Sequence, residues 1–204
     1  MAKIKLTKNE LKKQKDNLKR FTRYLPTLEL KKKQLLLEIR TIQRKIEDLN
    51  RDFERAEKEI TRWVDVFAED VDVGEFFRLK EVKTNEGNIA GIDIPLFEGV
   101  IFTDQEYDVL QTPLWVDMGI EVAKEQIARR VEIEILQKQE EIVREELRIT
   151  IQRIKLFEEV KIPDARENIR VIQIFLGDQQ TAEVVRGKIA KAKIEKKKRE
   201  TSRV

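Results

Sequence analysis

The segment RGKI, Arg186–Ile189, is the closest this chain comes to a phosphate-binding loop. Such a loop needs G-x-x-x-x-G-K-[ST], so that backbone N–H groups cradle the phosphates, the lysine reaches them and a hydroxyl meets the metal. Gly187 and Lys188 are in place, but Ala182 stands where the first glycine belongs and Ile189 where the hydroxyl belongs. GNIAG, Gly87–Gly91, does not match a dinucleotide fingerprint. The carboxylate pairs Glu140–Glu141 and Glu145–Glu146 lie in a chain that is 40% charged. They read as solvated helix surface. With no cysteine and no histidine, thiolate metal sites, cysteine nucleophiles and imidazole catalysis are all excluded. The expectation is a non-enzyme with no catalytic residue, no cofactor and no metal.

What remains is charge. Residues 1–33 hold 12 Lys/Arg against 3 Asp/Glu, net +9; residues 186–204 hold 9 against 2, net +7; residues 68–118 hold 3 against 12, net −9. Basic ends and an acidic middle are consistent with a chain that folds back on itself and brings its termini to one end. Basic helices can neutralise nucleic-acid phosphates. The recognisable basic-helix module, however, couples its basic region to a parallel zipper, and stacking aromatics are scarce here: Phe21 and Tyr24 are the only ones in the first 33 residues. No nucleic-acid partner is expected. The start, MAKIKLTKNELKK, has no apolar run like a signal peptide, and no stretch approaches 18 uncharged apolar residues, so no membrane insertion is expected.

The elements that carry these charges are helices. TKNE, Thr7–Glu10, is a capping box with Thr7 as N-cap. Apolar residues follow at Leu11, Leu18, Leu25 and Leu28. A strict alternation of four and three steps then runs through Leu35, Ile39, Ile42, Ile46, Leu49, Phe53, Ala56, Ile60, Trp63 and Phe67. That is a coiled-coil seam. Breakers at Gly74, Gly87, Gly91, Pro95 and Gly99 mark a change. NEGN, Asn85–Asn88, is a turn candidate. β-prone runs at Phe76–Thr84, Ile89–Ile94 and Val100–Phe102 predict a hairpin or three-stranded patch. TDQE, Thr103–Glu106, should open a short helix, and Thr112 with Pro113 should open a long one.

The second long helix shows two apolar stripes about 120° apart at 100° per residue. One runs Val131, Ile135, Ile142, Ile149, Leu156; the other runs Leu136, Val143, Leu147, Thr150, Ile154, Phe157. Either both form one wide core face, or one is a docking face for another chain. An interior proline lacks a donor and clashes with the carbonyl four residues back, so Pro26 and Pro163 should interrupt their helices. Pairing Phe67 with Met118 puts the two prolines at similar height. The expected fold is mainly α: a long antiparallel two-helix coiled coil with a small β-hairpin region and a short helix inserted mid-chain. Residues 1–70 form the N-terminal helix, 71–112 the inserted tip, and 113–204 the C-terminal helix, interrupted near Pro163.

Three segments carry a family resemblance: LTKNELKKQKDNLKR…LELKKKQLLLEI (Leu6–Ile39), FFRLKEVK (Phe76–Lys83) and LFEEVKIPDARENIRVIQIFLGDQQTAEVVRGKIAKAK (Leu156–Lys193). Together they resemble the D subunit of the V/A-type ATPases and ATP synthases, over essentially the whole chain. RYLPTL, with Pro26, departs from the family's usual pattern. The resemblance implies a non-catalytic central-stalk rotor shaft. It would couple ATP synthesis or hydrolysis in a hexamer of catalytic A and B subunits to transmembrane H⁺ or Na⁺ transport. It implies a small F subunit on the side of the shaft, a funnel-shaped rotor subunit at the membrane ring, and a peripheral place on the cytoplasmic side of a membrane-bound complex. On that basis Lys12, Lys13, Lys19, Arg20, Arg23, Lys188 and Lys191 are candidates to face carboxylates of the hexamer, and Val143, Leu147, Ile154 and Phe157 to dock the F subunit. The alternative is a prefoldin-like coiled-coil chaperone or scaffold.

Overall fold

A computed structural model describes residues 4–64, 73–107 and 112–201. Its elements are α1 (Lys8–Val64), a 3-10 turn (Val73–Glu75), β1 (Phe77–Ile89), β2 (Ile92–Asp104), α2 (Val116–Lys155), a π turn (Leu156–Lys161) and α3 (Ile162–Thr201). The chain divides into two compact units. One holds residues 1–30 and 151–204, the other residues 31–150. The expected end of the seam at Phe67, and with it the Phe67–Met118 pairing, lies outside the described residues.

In the unit of residues 31–150, α1 and α2 run antiparallel and bury their facing stripes. Leu35, Ile39 and Ile42 pack with Leu136, Val143 and Ile94, and Ile46, Leu49, Ile89, Ile92, Ile142 and Leu147 close around them. Lys31 Nζ donates to Glu146 Oε1 at 2.7 Å and Gln43 Nε2 to Glu140 Oε1 at 2.8 Å, pinning the register at the edges. The sheet is a single two-stranded antiparallel hairpin. Its tip rests on the helix pair through Ile89, Ile92 and Ile94, and the buried Gln139 side chain donates to the Pro95 carbonyl. A lone hairpin is marginal in water; packing against helices stabilises this one.

The turn falls at Ala90–Gly91, both at positive φ (53° and 81°). It does not fall at NEGN, which lies inside β1. Asn88 explains the shift: its Oδ1 accepts from Gly91 N–H at 3.0 Å and its Nδ2 donates to Asp93 at 2.8 Å. Gly87 serves packing, since a Cβ there would come within 2.6 Å of Leu96 Cδ1. The helix start expected at Thr103–Glu106 does not form, and residues 108–111, over which that helix would run on, lie outside the described residues. Thr103 pairs with Arg78 and Asp104 with Phe77 in the hairpin, because Phe102 meets the Phe77 ring at 5.6 Å. The inserted helical turn comes earlier, at Val73–Glu75.

Phe77, Val116 and Ile120 form a second core with Phe76, Phe102 and Trp115 around them. This core also delays the start of α2. Thr112 and Pro113 precede it, the Pro113 carbonyl accepts from Val116 N–H at 3.0 Å, and the Trp115 carbonyl takes the first helical bond, from Gly119 at 2.9 Å.

In the other unit, Thr7 caps α1 as expected: its Oγ1 accepts from Glu10 N–H at 3.3 Å and its carbonyl from Leu11 N–H at 2.9 Å. Pro26 lies inside α1 without interrupting it. The heptad explains why. Leu18, Phe21, Leu25 and Leu28 keep strict seam spacing, and Pro26 is on the exposed side, where an unpaired carbonyl can meet water. The return strand behaves differently. Its internal positions step Ile154, Phe157, Ile162, Ala165, Ile172, with Ile169 half-buried between the last two. The step from Phe157 to Ile162 is five, one more than an α-turn allows. The π turn absorbs the extra residue, and Ile162 N–H bonds five back to Phe157 O. Pro163 follows at the second position of α3, so the interruption is a widened turn and not a break. Nor are the prolines level. Phe21 meets Phe157 with ring centroids 5.3 Å apart, which sets Pro26 and Pro163 about 16 Å apart along the coil at 1.5 Å per residue.

The wide turn and the proline should therefore compensate each other. Deleting Glu159 would return the segment to an α-turn with the seam intact but leave the proline in an ordinary helix interior, costing about 3 kcal/mol. Adding Pro163→Ala should recover most of that loss in thermal unfolding. A deletion that is neutral by itself would refute the coupling.

Candidate partner-binding surface

The seven candidate basic residues are all exposed. None of them has a carboxylate partner among the described residues. Lys12, Lys13, Lys19, Arg20 and Arg23 lie on the first turns of α1. One shallow groove there is lined by Lys15, Leu18, Lys19, Thr22 and Arg23, and a second by Arg20, Arg23, Tyr24 and Thr27. Lys188 and Lys191 lie far along α3. With Phe21 opposite Phe157, they sit roughly 30 Å beyond Lys12 along the helix axis. The structure therefore places the two groups in one unit but at different levels.

The surface ion pairs are of a different kind. Arg170 donates to both Glu167 oxygens at 2.9 and 2.7 Å, and Arg148 to both Glu145 oxygens at 2.8 and 2.6 Å. These bonds hold each carboxyl below its ordinary range. Both pairs are exposed and three residues apart, so they contribute little to stability.

The four residues expected to dock a partner turn out to be internal. Val143 is 0% exposed and at the centre of the α1–α2 core; Leu147 packs against it. Ile154 is buried, and Phe157 is half-buried against Phe21. The other α2 stripe is half-buried from Val131 to Ile149. Both stripes act as one wide core face because the hairpin tip adds a third element that α2 must cover. Thr150, in the same stripe as Val143, is fully buried with its hydroxyl unpaired.

Sequence reasoning passed over the apolar residues that do face outward. Leu114 and Met118 are exposed beside the start of α2, and Val171, Ile174, Phe175, Val184, Val185 and Ile189 along α3. The five-residue step at Phe157–Ile162 was the available signal. It rotates which α3 residues are internal and leaves a second stripe, one residue earlier, without cover. Among the described residues no helix is long and apolar enough to cross a membrane, and no cluster of acidic side chains could hold a metal ion.

Residues 10–192 match the family model that describes the D subunit of ATP synthase. The chain is 50% identical over 199 residues to the D subunit of the V-type ATP synthase of Borreliella burgdorferi, covering 98% of each chain. It is 34% identical over 200 residues to the protein of the same name from Chlamydia muridarum, covering 97% of this chain and 98% of the relative. It is 33% identical over 203 residues to the one from Chlamydia caviae, covering 98% of both.

Burial of the Val143 stripe predicts that Val143→Asp disrupts the fold. An unpaired charge at a fully buried site should lower stability by about 3–5 kcal/mol, read as a loss of helical circular dichroism at reduced temperature. Leu37→Asp, at a 62% exposed position on α1, should shift stability by only about 0.5 kcal/mol. Equal effects would contradict the assignment.

Proposed function

We propose, for a chain that belongs to the family of ATP synthase D subunits, that it is the non-catalytic central-stalk subunit of a V-type ATP synthase. It couples ATP synthesis or hydrolysis in a hexamer of catalytic A and B subunits to transmembrane H⁺ or Na⁺ transport by rotation. One observation supports this most. From Asp178 to Lys196 every residue of α3 is exposed, although the segment is helical and carries spaced apolar side chains. A helix of that composition gains its stability from packing, so a partner is the natural cover.

In this reading residues 1–70 and 113–204 supply the shaft, and residues 71–112 the part turned toward the funnel-shaped rotor subunit on the membrane ring. The small F subunit binds outside the Val143–Phe157 stripe, which is internal. The protein works peripherally on the cytoplasmic side. The basic residues Lys12, Lys13, Lys19, Arg20, Arg23, Lys188 and Lys191 face carboxylates of the hexamer. Exposed charge pairs are individually weak and screened by salt, which suits a surface that must turn past its partner. A prefoldin-like role fits less well, since the hairpin tip is held against the helices through Ile94 and Gln139 and is not free to build a barrel.

Reversing Lys12, Lys19, Arg20, Arg23, Lys188 and Lys191 to Glu together should weaken assembly with A and B subunits. The effect should be largest at low ionic strength and shrink as salt rises. Unchanged assembly at low salt would remove the electrostatic contact from the account.

A further inference from the structure

The hairpin is fastened at both ends. At its base, Phe77 and Phe102 share a core with Val116 and Ile120 of α2. Two polar bonds join the same region to α2: Lys124 Nζ donates to Asp104, and the Tyr107 hydroxyl, just past the end of β2, donates to Asp117. At its tip, Ile94 is 2% exposed in the core that holds Leu35, Ile39 and Val143, and Gln139 donates to the Pro95 carbonyl. The tip therefore shares its core with both helices. The spans between the two anchors agree. From Ile120 to Gln139 is about 28 Å along α2 at 1.5 Å per residue. From Phe102 to Ile94 is about 26 Å along β2 at about 3.3 Å per residue.

Burial alone does not explain this arrangement. A cover would bury its whole length, yet between the anchors Leu79 is 47% exposed and Leu96 41%. A strut needs only its ends held and a body that does not stretch. The paired strands supply that body. Their pairing runs from Phe77–Asp104 to Ile89–Ile92 with two register shifts, and lengthening it would break ladder hydrogen bonds. Long helices bend and curve readily. A third element fixed alongside them, away from their common axis, resists both bending and twisting. Among the described residues, the unit of residues 1–30 and 151–204 has helices alone and no such element.

We infer that the hairpin is a strut that stiffens the α1–α2 pair against twist and bend over the span from Ile120 to Val143. The use of that stiffness rests on the central-stalk reading above. A rotation entering at the hairpin base reaches the Leu35–Val143 core as rotation and is not lost as twist of the helix pair. The anchors have separate parts in this. The Lys124–Asp104 and Tyr107–Asp117 bonds hold the base to α2, and Ile94 with the Gln139 bond holds the tip to the helix pair.

The test begins with the free full-length chain carrying spin labels at Arg40→Cys and Glu121→Cys. Both positions are exposed, and the chain has no other cysteine. Arg40 follows Ile39 at the level of the tip, and Glu121 follows Ile120 at the base. Inserting Gly-Ser-Gly-Ser between Lys83 and Thr84, and again between Glu98 and Gly99, lengthens both strands where the ladder already shifts. Both anchors stay seated, and helical circular dichroism should not change. The distance distribution between the labels should broaden by about 3 Å or more, since four such residues give a play of up to about 11 Å. Gln139→Ala, which frees the tip from its polar bond without any insertion, should broaden it in the same direction. Wild-type width in both variants would overturn the inference. In the complex with its own A and B subunits, the chain with the slack hairpin should scatter more widely about its resting angles in single-molecule rotation. Scatter equal to that of the wild type would also overturn it. A wild-type chain that does not assemble with A and B would overturn the central-stalk reading instead, and the free-chain distances would still decide the strut.

Discussion

An unbroken heptad on a long helix leaves little choice of structure. The α1 seam continues at four-and-three spacing from Leu11 through Ile60, with Gln14 and Lys32 as its polar members. A stripe of that length in water carries a large unfavourable hydration free energy, at roughly 25 cal/mol per Å² of apolar surface. It must be covered along its length, and an antiparallel return of the same chain is the cover at hand. Everything else follows from how the return strand meets that demand. α2 does so directly through Leu136 and Val143. Beyond Ile154 the return strand has one residue too many, and a π turn takes it up. Widened turns of this kind often mark functional places in helices. Here the widened turn determines which side of α3 is left outward, and so which residues are free to meet another protein.

The hairpin answers the same demand for burial. It bends back so that Ile89, Ile92 and Ile94 complete the core that two helices alone would leave half-open. This explains why the α2 face is wider than a two-stranded coil alone requires. It also explains the buried Gln139. A polar side chain in that core is tolerable because it bonds the Pro95 carbonyl, a group that would otherwise be left unpaired.

Much of the fold was legible from local pattern. The Thr7 cap, the α1 seam, the inserted hairpin and the antiparallel return are all written in short-range spacing. The misreadings share a cause: each was decided by tertiary packing. NEGN reads as a turn by composition, but Gly87 is needed beneath Leu96 and Asn88 holds the real turn. TDQE has the letters of a capping box, but the edge-to-face contact of Phe102 with Phe77 keeps the strand going. Pro26 looks like a break, but a proline on the outer side of a well-seated helix can be carried. For the candidate surface, residue type identified the basic positions. It could not separate an internal stripe from an outward one, because both have the same periodicity and differ only in phase.

The central claim is that this chain is a single axis inside a ring of partners. Native mass spectrometry of the full chain mixed with its own A and B subunits measures this directly. The account predicts one copy per hexamer of A and B subunits, since only a central axis gives a single copy in a ring of repeated partners. A defined self-assembled oligomer with no binding to A and B, or a copy at every A–B pair of the hexamer, would contradict it.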